Sequence, residues 1–158
     1  MSIEGKRIAE SRVTLSQLMG PQDANMLGNV HGGVIMRMVD EAGAIAAMRH
    51  AQNPVVTVAV DSMSFRQPIH IGDLVIITAE LTYVGRTSME AWVEVRAEHP
   101  LTGQQQHTNT AYLLYVALDH DHRPMEVPPL KLETEAEHQR WKDAQQRQDL
   151  RKKMGGKA

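Results

Sequence analysis

Apolar and polar residues alternate along several stretches of the chain and follow a helical period in one. In Arg12 to Leu18, Val13 and Leu15 face one way, with Gln17 third on that side. After Pro54, Val56, Val58 and Val60 share one face, while Thr57, Ala59 and Asp61 share the other. Leu74 to Val84 is a second β-rich run, and Gly85-Arg86 marks a turn into a third. There Met89, Ala91, Val93 and Val95 alternate with Glu90, Trp92, Glu94 and Arg96. A fourth run spans Gln106 to Leu118, opened by the turn at Pro100 to Gly103. Short turns join these last runs, which predicts an antiparallel meander.

Between the first two strands the period predicts a helix over Val34 to Ala51, stopped by Asn53-Pro54. At about 100° per residue, Val34, Met38, Ala42 and Ile45 fall together, with Ile35, Val39 and Ala46 beside them, as the core stripe. Arg37 and Glu41 form a narrow polar edge. Asp40 projects elsewhere, between Met36, Ala44 and Ala47. A carboxylate among apolar neighbours is costly unless it is paired or reactive. Arg37 and Arg66 are the candidate partners for a structural pair, and proton abstraction is the chemical alternative. Gly43, Ala44, Ala46 and Ala47 make the helix slim enough for close packing. Gly32 and Gly33 stand where the first helical amides lack partners, with the positive end of the helix dipole behind them. Such amides suit the oxyanion of an acyl-transfer intermediate, and Asn29 just before them adds a side-chain amide or an Asx turn.

One strand, one long helix and four strands give an α+β order in which a single helix cannot cover both sheet faces. Either the sheet curls around the helix or its open face lies on another subunit. Beyond Pro129 the pattern fails: Glu133 to Lys153 is densely charged, with Trp141 and Leu150 its only large apolar residues. The expectation is a folded domain over 8–130 and a charged extension over 131–158. That extension should be helical, partly mobile and mostly solvated, with partner binding as its alternative.

Composition narrows the function. With 158 residues, 42% of them hydrophobic, the chain suits one packed domain rather than a disordered segment. A formal net charge of −2 argues against a general nucleic-acid binder. There is no cysteine, hence no thiolate nucleophile and no disulfide framework. His120 and His122 flank Asp121, and His99 and His107 lie on either side of a turn, in no standard zinc spacing. No leader-like segment or membrane-length apolar run is visible, so a cytoplasmic protein without membrane or metal is expected.

The run Asp23 to Ile45, DANMLGNVHGGVIMRMVDEAGAI, strongly resembles the cytosolic (brain-type) acyl-CoA hydrolases, which are hot-dog thioesterases. VTVAVDSMSF from Val56, Pro68, and VGRTS from Val84 continue the resemblance, which covers residues 10 to 128. It implies a long helix wrapped by an antiparallel sheet, paired edge to edge as a homodimer and further assembled as a trimer of dimers. It implies composite sites in which Asn29 of one subunit faces Asp40 of the other. The catalytic set is then Asp40, Asn29, Gly32 and Gly33, and Asp40 acts on water as a general base or attacks the thioester directly. Some bacterial relatives carry Asp and Ile-Phe-Gly-Gly where this chain has Asn29-Val30-His31-Gly32-Gly33. Substrate contacts fall to His31 and Thr57, and for the phosphates to Arg86 with Thr87 and Ser88, then Arg66. No cofactor is implied, because coenzyme A is part of substrate and product. The competing readings are a module that binds acyl-CoA without cleaving it, and a 3-hydroxyacyl dehydratase using His31.

Overall fold

The computed structural model describes residues 3–155. In chain order the elements are β1 (Lys6–Arg7), β2 (Val13–Leu18), α1 (Gly32–Ala51), β3 (Val55–Val60), β4 (Leu74–Val84), β5 (Ser88–Glu98), β6 (Gln105–Ala117), β7 (Leu130–Lys131) and α2 (Glu135–Gly155). Five strands form one antiparallel sheet in the order β2-β4-β5-β6-β3. The predicted meander is its centre, β4-β5-β6. β1 and β7 make a separate parallel pair that ties the chain's beginning to the segment after β6; two residues are too short to leave a periodic signal.

α1 lies across the inner face, and the sheet wraps it in the hot-dog arrangement that the resemblance implies. Ile35, Met38, Val39, Ala42 and Ala46 of the helix are buried against Ile77, Leu81, Val93 and Leu113 of the strands. Each large aliphatic side chain so buried contributes about 1.5–3 kcal/mol, an upper-range figure because unfolded chains already bury part of this surface. The stripe is rotated slightly from the wheel: Val34 and Ile45 are only half-buried. The helix also begins two residues earlier than expected, at Gly32, because His31 caps it through Nδ1, which accepts from the Gly33 amide at 3.0 Å. It ends where Gln52 turns left-handed (φ 56) and returns its amide to the Met48 carbonyl at 2.7 Å.

The C-terminal helix differs most from expectation. Rather than lying free in solvent, α2 docks on the outer face, where Ala144 and Gln148 are buried. Glu80, Trp92 and Tyr112 are cross-strand partners in one row of that face, with parity opposite to the residues under α1. Arg140 meets Glu80 at 2.5 Å and lies 5.0 Å over Trp92. Arg147 meets Glu90 at 2.8 Å and lies 3.7 Å over Tyr112. Arg151 bridges Glu90 and Asp61 at 2.5 and 2.8 Å. Trp141 packs on Tyr83 with ring centroids 5.3 Å apart. Burial works against the charge on Arg147 and Arg151, but the Glu90 bonds of Arg147, and the Asp61 and Glu90 bonds of Arg151, outweigh it and push both further up. The contact is built from arginine stems and aromatic faces, which a count of aliphatic residues does not register. None of the described helices is long and apolar enough to cross a membrane.

Candidate active site

Asp40 sits half-buried on α1, and two strands aim hydroxyls at it. Thr57 of β3 and Tyr115 of β6 are register partners, so both side chains leave the inner face at one level. Thr57 Oγ1 donates to Asp40 Oδ1 at 2.8 Å. The Tyr115 hydroxyl lies 3.0 Å from the same Oδ1 and 3.0 Å from the Asp40 carbonyl oxygen. Among the described residues no donor occupies Oδ2 and no guanidinium pairs with the carboxylate, so the ion pair with Arg37 or Arg66 is not formed. Burial first, and the charge of Asp40 next, raise the Tyr115 pKa, keeping its phenol protonated as a donor.

Tyr115 is a site residue that the sequence pattern did not reveal, but Gly43 was its trace. A glycine in a helix interior costs about 1 kcal/mol relative to alanine, so its presence asks for a reason. A Cβ at Gly43 would overlap the Tyr115 hydroxyl oxygen and stand 3.1 Å from its Cζ. The glycine is the space through which the phenol reaches the helix.

A second cluster surrounds the start of α1. The amide of Gly33 is engaged by His31, whose accepting Nδ1 places the ring proton on the exposed Nε2. Gly32, by contrast, has no acceptor for its N–H among the described residues. Asn25 lies beside it. Its Oδ1 accepts from the amides of Leu27 at 2.9 Å and Asn29 at 3.1 Å, which fixes the carboxamide and leaves its NH2 as a free donor. Gly28, at φ +83, closes this tight loop. Asn25, Asn29, Gly32, Phe65 and Arg66 share a cleft of about 360 Å³. Asn29 lines the same cleft, and its main chain closes the loop: its N–H donates to Asn25 Oδ1 and its carbonyl accepts from the Asn25 amide at 2.7 Å.

The predicted residues therefore fall in three places. Thr57 joins Asp40; Asn29, Gly32 and Arg66 gather at the helix start, with His31 and Gly33 at its cap; Arg86, Thr87 and Ser88 share another cleft beside the β4–β5 turn. Eight residues of helix rise separate Gly32 from Asp40, about 12 Å at 1.5 Å each. One carbonyl cannot touch both within a single chain. Among the described residues no group of three or more His, Asp or Glu is arranged to hold a metal ion.

Comparison with known proteins converges on one family. Residues 27–104 match the model of the thioesterase superfamily. The chain is 42% identical over 144 residues to the mouse cytosolic acyl coenzyme A thioester hydrolase, covering 84% of this chain but 38% of that protein's length. A hexameric acyl-CoA thioesterase structure superimposes with a TM-score of 0.92 at 35% identity, covering 99% of this chain and 100% of the other. An acyl-CoA hydrolase from Staphylococcus aureus, solved with butyryl coenzyme A and coenzyme A, aligns with a TM-score of 0.86 at 34% identity, covering 94% and 90% of the two chains. With its helix-in-sheet fold and its acid held between two hydroxyls, the chain belongs to the acyl-CoA thioester hydrolases of the thioesterase superfamily.

Proposed function

We propose that the protein hydrolyses fatty acyl-CoA to free fatty acid and coenzyme A, with Asp40 as general base. The observation that carries this reading is the Asp40 carboxylate, with one oxygen fixed by two hydroxyls, the other open, and no cation neutralising it. Water placed at Oδ2 gives up a proton to it as its oxygen attacks the thioester carbon. The carbonyl oxygen becomes an oxyanion, for which the Gly32 amide and the Asn25 carboxamide are the available donors. Collapse breaks the carbon–sulfur bond and expels the coenzyme A thiolate, which is then protonated. A thioester is already an activated acyl group, so this route calls for no resident metal or cofactor.

The separation along α1 argues that each site takes its acid from one subunit and its amides from another. β3 is an edge strand paired only with β6, and Val56, Val58 and Val60 are 43–47% exposed along it. An uncovered apolar edge beside Asp40 and Thr57 favours a second copy pairing there as a homodimer. Hexamers among the solved relatives support further assembly as a trimer of dimers. The mouse relative is named cytosolic, and the cytoplasm is the compartment this reading assigns.

The Staphylococcus aureus hydrolase has been solved with an Asp, an Asn and a Thr each changed to Ala. That Asn lies fifteen positions before the Asp, and the Thr lies 17 after it, spacings that here run from Asn25 through Asp40 to Thr57. The match supports Asn25 as the catalytic carboxamide, with Asn29 positioning it. His31 Nε2–H and Arg66 then border the thioester end, while Arg86, Thr87 and Ser88 serve the phosphates. Asp40→Asn is expected to lower kcat by about 10²–10⁴ while circular dichroism stays unchanged. A folded Asp40→Asn that turns over acyl-CoA at near-normal rate would remove Asp40 from this role. Incorporation of heavy oxygen from water into the protein in one turnover would replace general-base attack with an Asp40 anhydride.

A further inference from the structure

The cleft beside the β4–β5 turn has a second wall, and that wall belongs to the C-terminal helix. The turn contributes Arg86, Thr87 and Ser88; across a space of about 200 Å³, α2 contributes Gln148 and Lys152. No carboxylate lines this space. The acid-paired cations of α2 are Arg140, Arg147 and Arg151; neither Lys152 nor Arg86 has a carboxylate partner among the described residues. Two unneutralised cations facing one cavity favour an anion between them. Gln148 is 4% exposed, and its carbonyl is taken by Arg151 Nη1 at 3.0 Å, which leaves its amide hydrogens as what it offers the cleft. Thr87 and Ser88 add hydroxyl donors.

The cleft also borders the strand that carries Thr57. Val58, at one end, follows Thr57, whose hydroxyl holds Asp40. Cleft and carboxylate thus flank the same edge strand, one on the outer face and one on the inner. The pairs of Arg147 and Arg151 with Glu90, which is 0% exposed, fix α2 and so fix the second wall against the turn.

We infer that α2 is part of the coenzyme A site: Lys152 and Gln148 complete, with Arg86, Thr87 and Ser88, a receptor for the phosphates of the substrate's nucleotide. This rests on the acyl-CoA reading above and extends it to the C-terminal helix. The test compares kcat/KM for an acyl-CoA with that for the matching acyl-pantetheine, which has the thioester but no phosphate. Lys152→Glu should reduce the acyl-CoA preference about ten-fold, through KM, and Lys152→Arg should restore it. Lys153→Glu changes charge equally one residue on and lines no part of the cleft, so it should keep the preference. An unchanged preference in Lys152→Glu, or an equal loss in Lys153→Glu, would overturn the inference while leaving the hydrolase intact. If the wild type cleaves neither substrate, the hydrolase reading fails instead. Calorimetric titration with coenzyme A then still decides the cleft by the same contrast of variants.

Discussion

Thr57 and Tyr115 direct their protons to one oxygen of Asp40, and the two contacts are not equivalent. The threonine sits on the exposed edge strand, whereas the tyrosine is fully buried, kept protonated, and held in place by the absence of a side chain at Gly43. Tyr115→Phe removes only the hydroxyl. It should lower kcat about ten-fold with little change in KM, since the phenol orients the base rather than the substrate. Gly43→Ala should act in the same direction by displacing the ring, and should also cost about 1–3 kcal/mol through overpacking. Steady-state kinetics with a urea titration separates the two. A Tyr115→Phe enzyme with unaltered kcat would mean that Thr57 alone positions Asp40. Thr57 was singled out by the resemblance, but Tyr115 was hard to find in advance: their partnership arises from the pairing of β3 with β6, between positions 58 apart in the chain.

At the scale of elements, α2 and the end of α1 carry ionisable groups that make stability depend on particular contacts. Glu90 is wholly buried between Arg147, Arg151 and the Thr82 hydroxyl at 2.6 Å. Glu90→Gln leaves Arg147 without a carboxylate and Arg151 with Asp61 alone, and should cost about 3 kcal/mol, lowering Tm by about 10 °C in calorimetry. An unchanged Tm would show that α2 adds nothing to the stability of the sheet. His50, in the last turn of α1, is buried with Nε2 donating to the Pro128 carbonyl at 2.6 Å and Nδ1 without a partner. Burial holds its pKa below 6.5, against the opposing pull of the Pro128 bond. As pH falls below 6.5, the unfolded chain takes up a proton that the folded ring refuses, so stability declines with acidification. His50→Gln should flatten that decline between pH 7 and pH 5, read as the urea midpoint at each pH. The C-terminal helix was visible in the sequence, but its docking was not, because arginine and aromatic contacts look like solvated charge in a hydropathy pattern.

The whole molecule raises the question of where one site ends. Gly32 lies about two helical turns from Asp40 along α1, and on the proposed reading the two belong to different sites, each completed by a second copy. Neither Asn25→Ala nor Asp40→Ala should be active alone. Co-refolded in equal amounts, they should recover about a quarter of wild-type activity, because half of the dimers are mixed and each of those has one intact site of two. Absence of recovery, with mixed dimers demonstrated by mass, would place the acid and the amides of each site in a single chain.

Local order in the sequence was enough for the five strands of the main sheet, the long helix, the odd position of Asp40 and the glycines opening α1. Each of these is written in residues close together, through a period of two or of 3.6 and through turn chemistry. Tertiary structure alone decided which hydroxyls reach Asp40, that His31 occupies the Gly33 amide, that the Leu27 and Asn29 amides fix the Asn25 carboxamide beside Gly32, and that α2 packs on the sheet. Those facts depend on strand register, loop closure and contacts between distant segments. A one-dimensional pattern records which face a side chain takes, and says nothing of what stands opposite it.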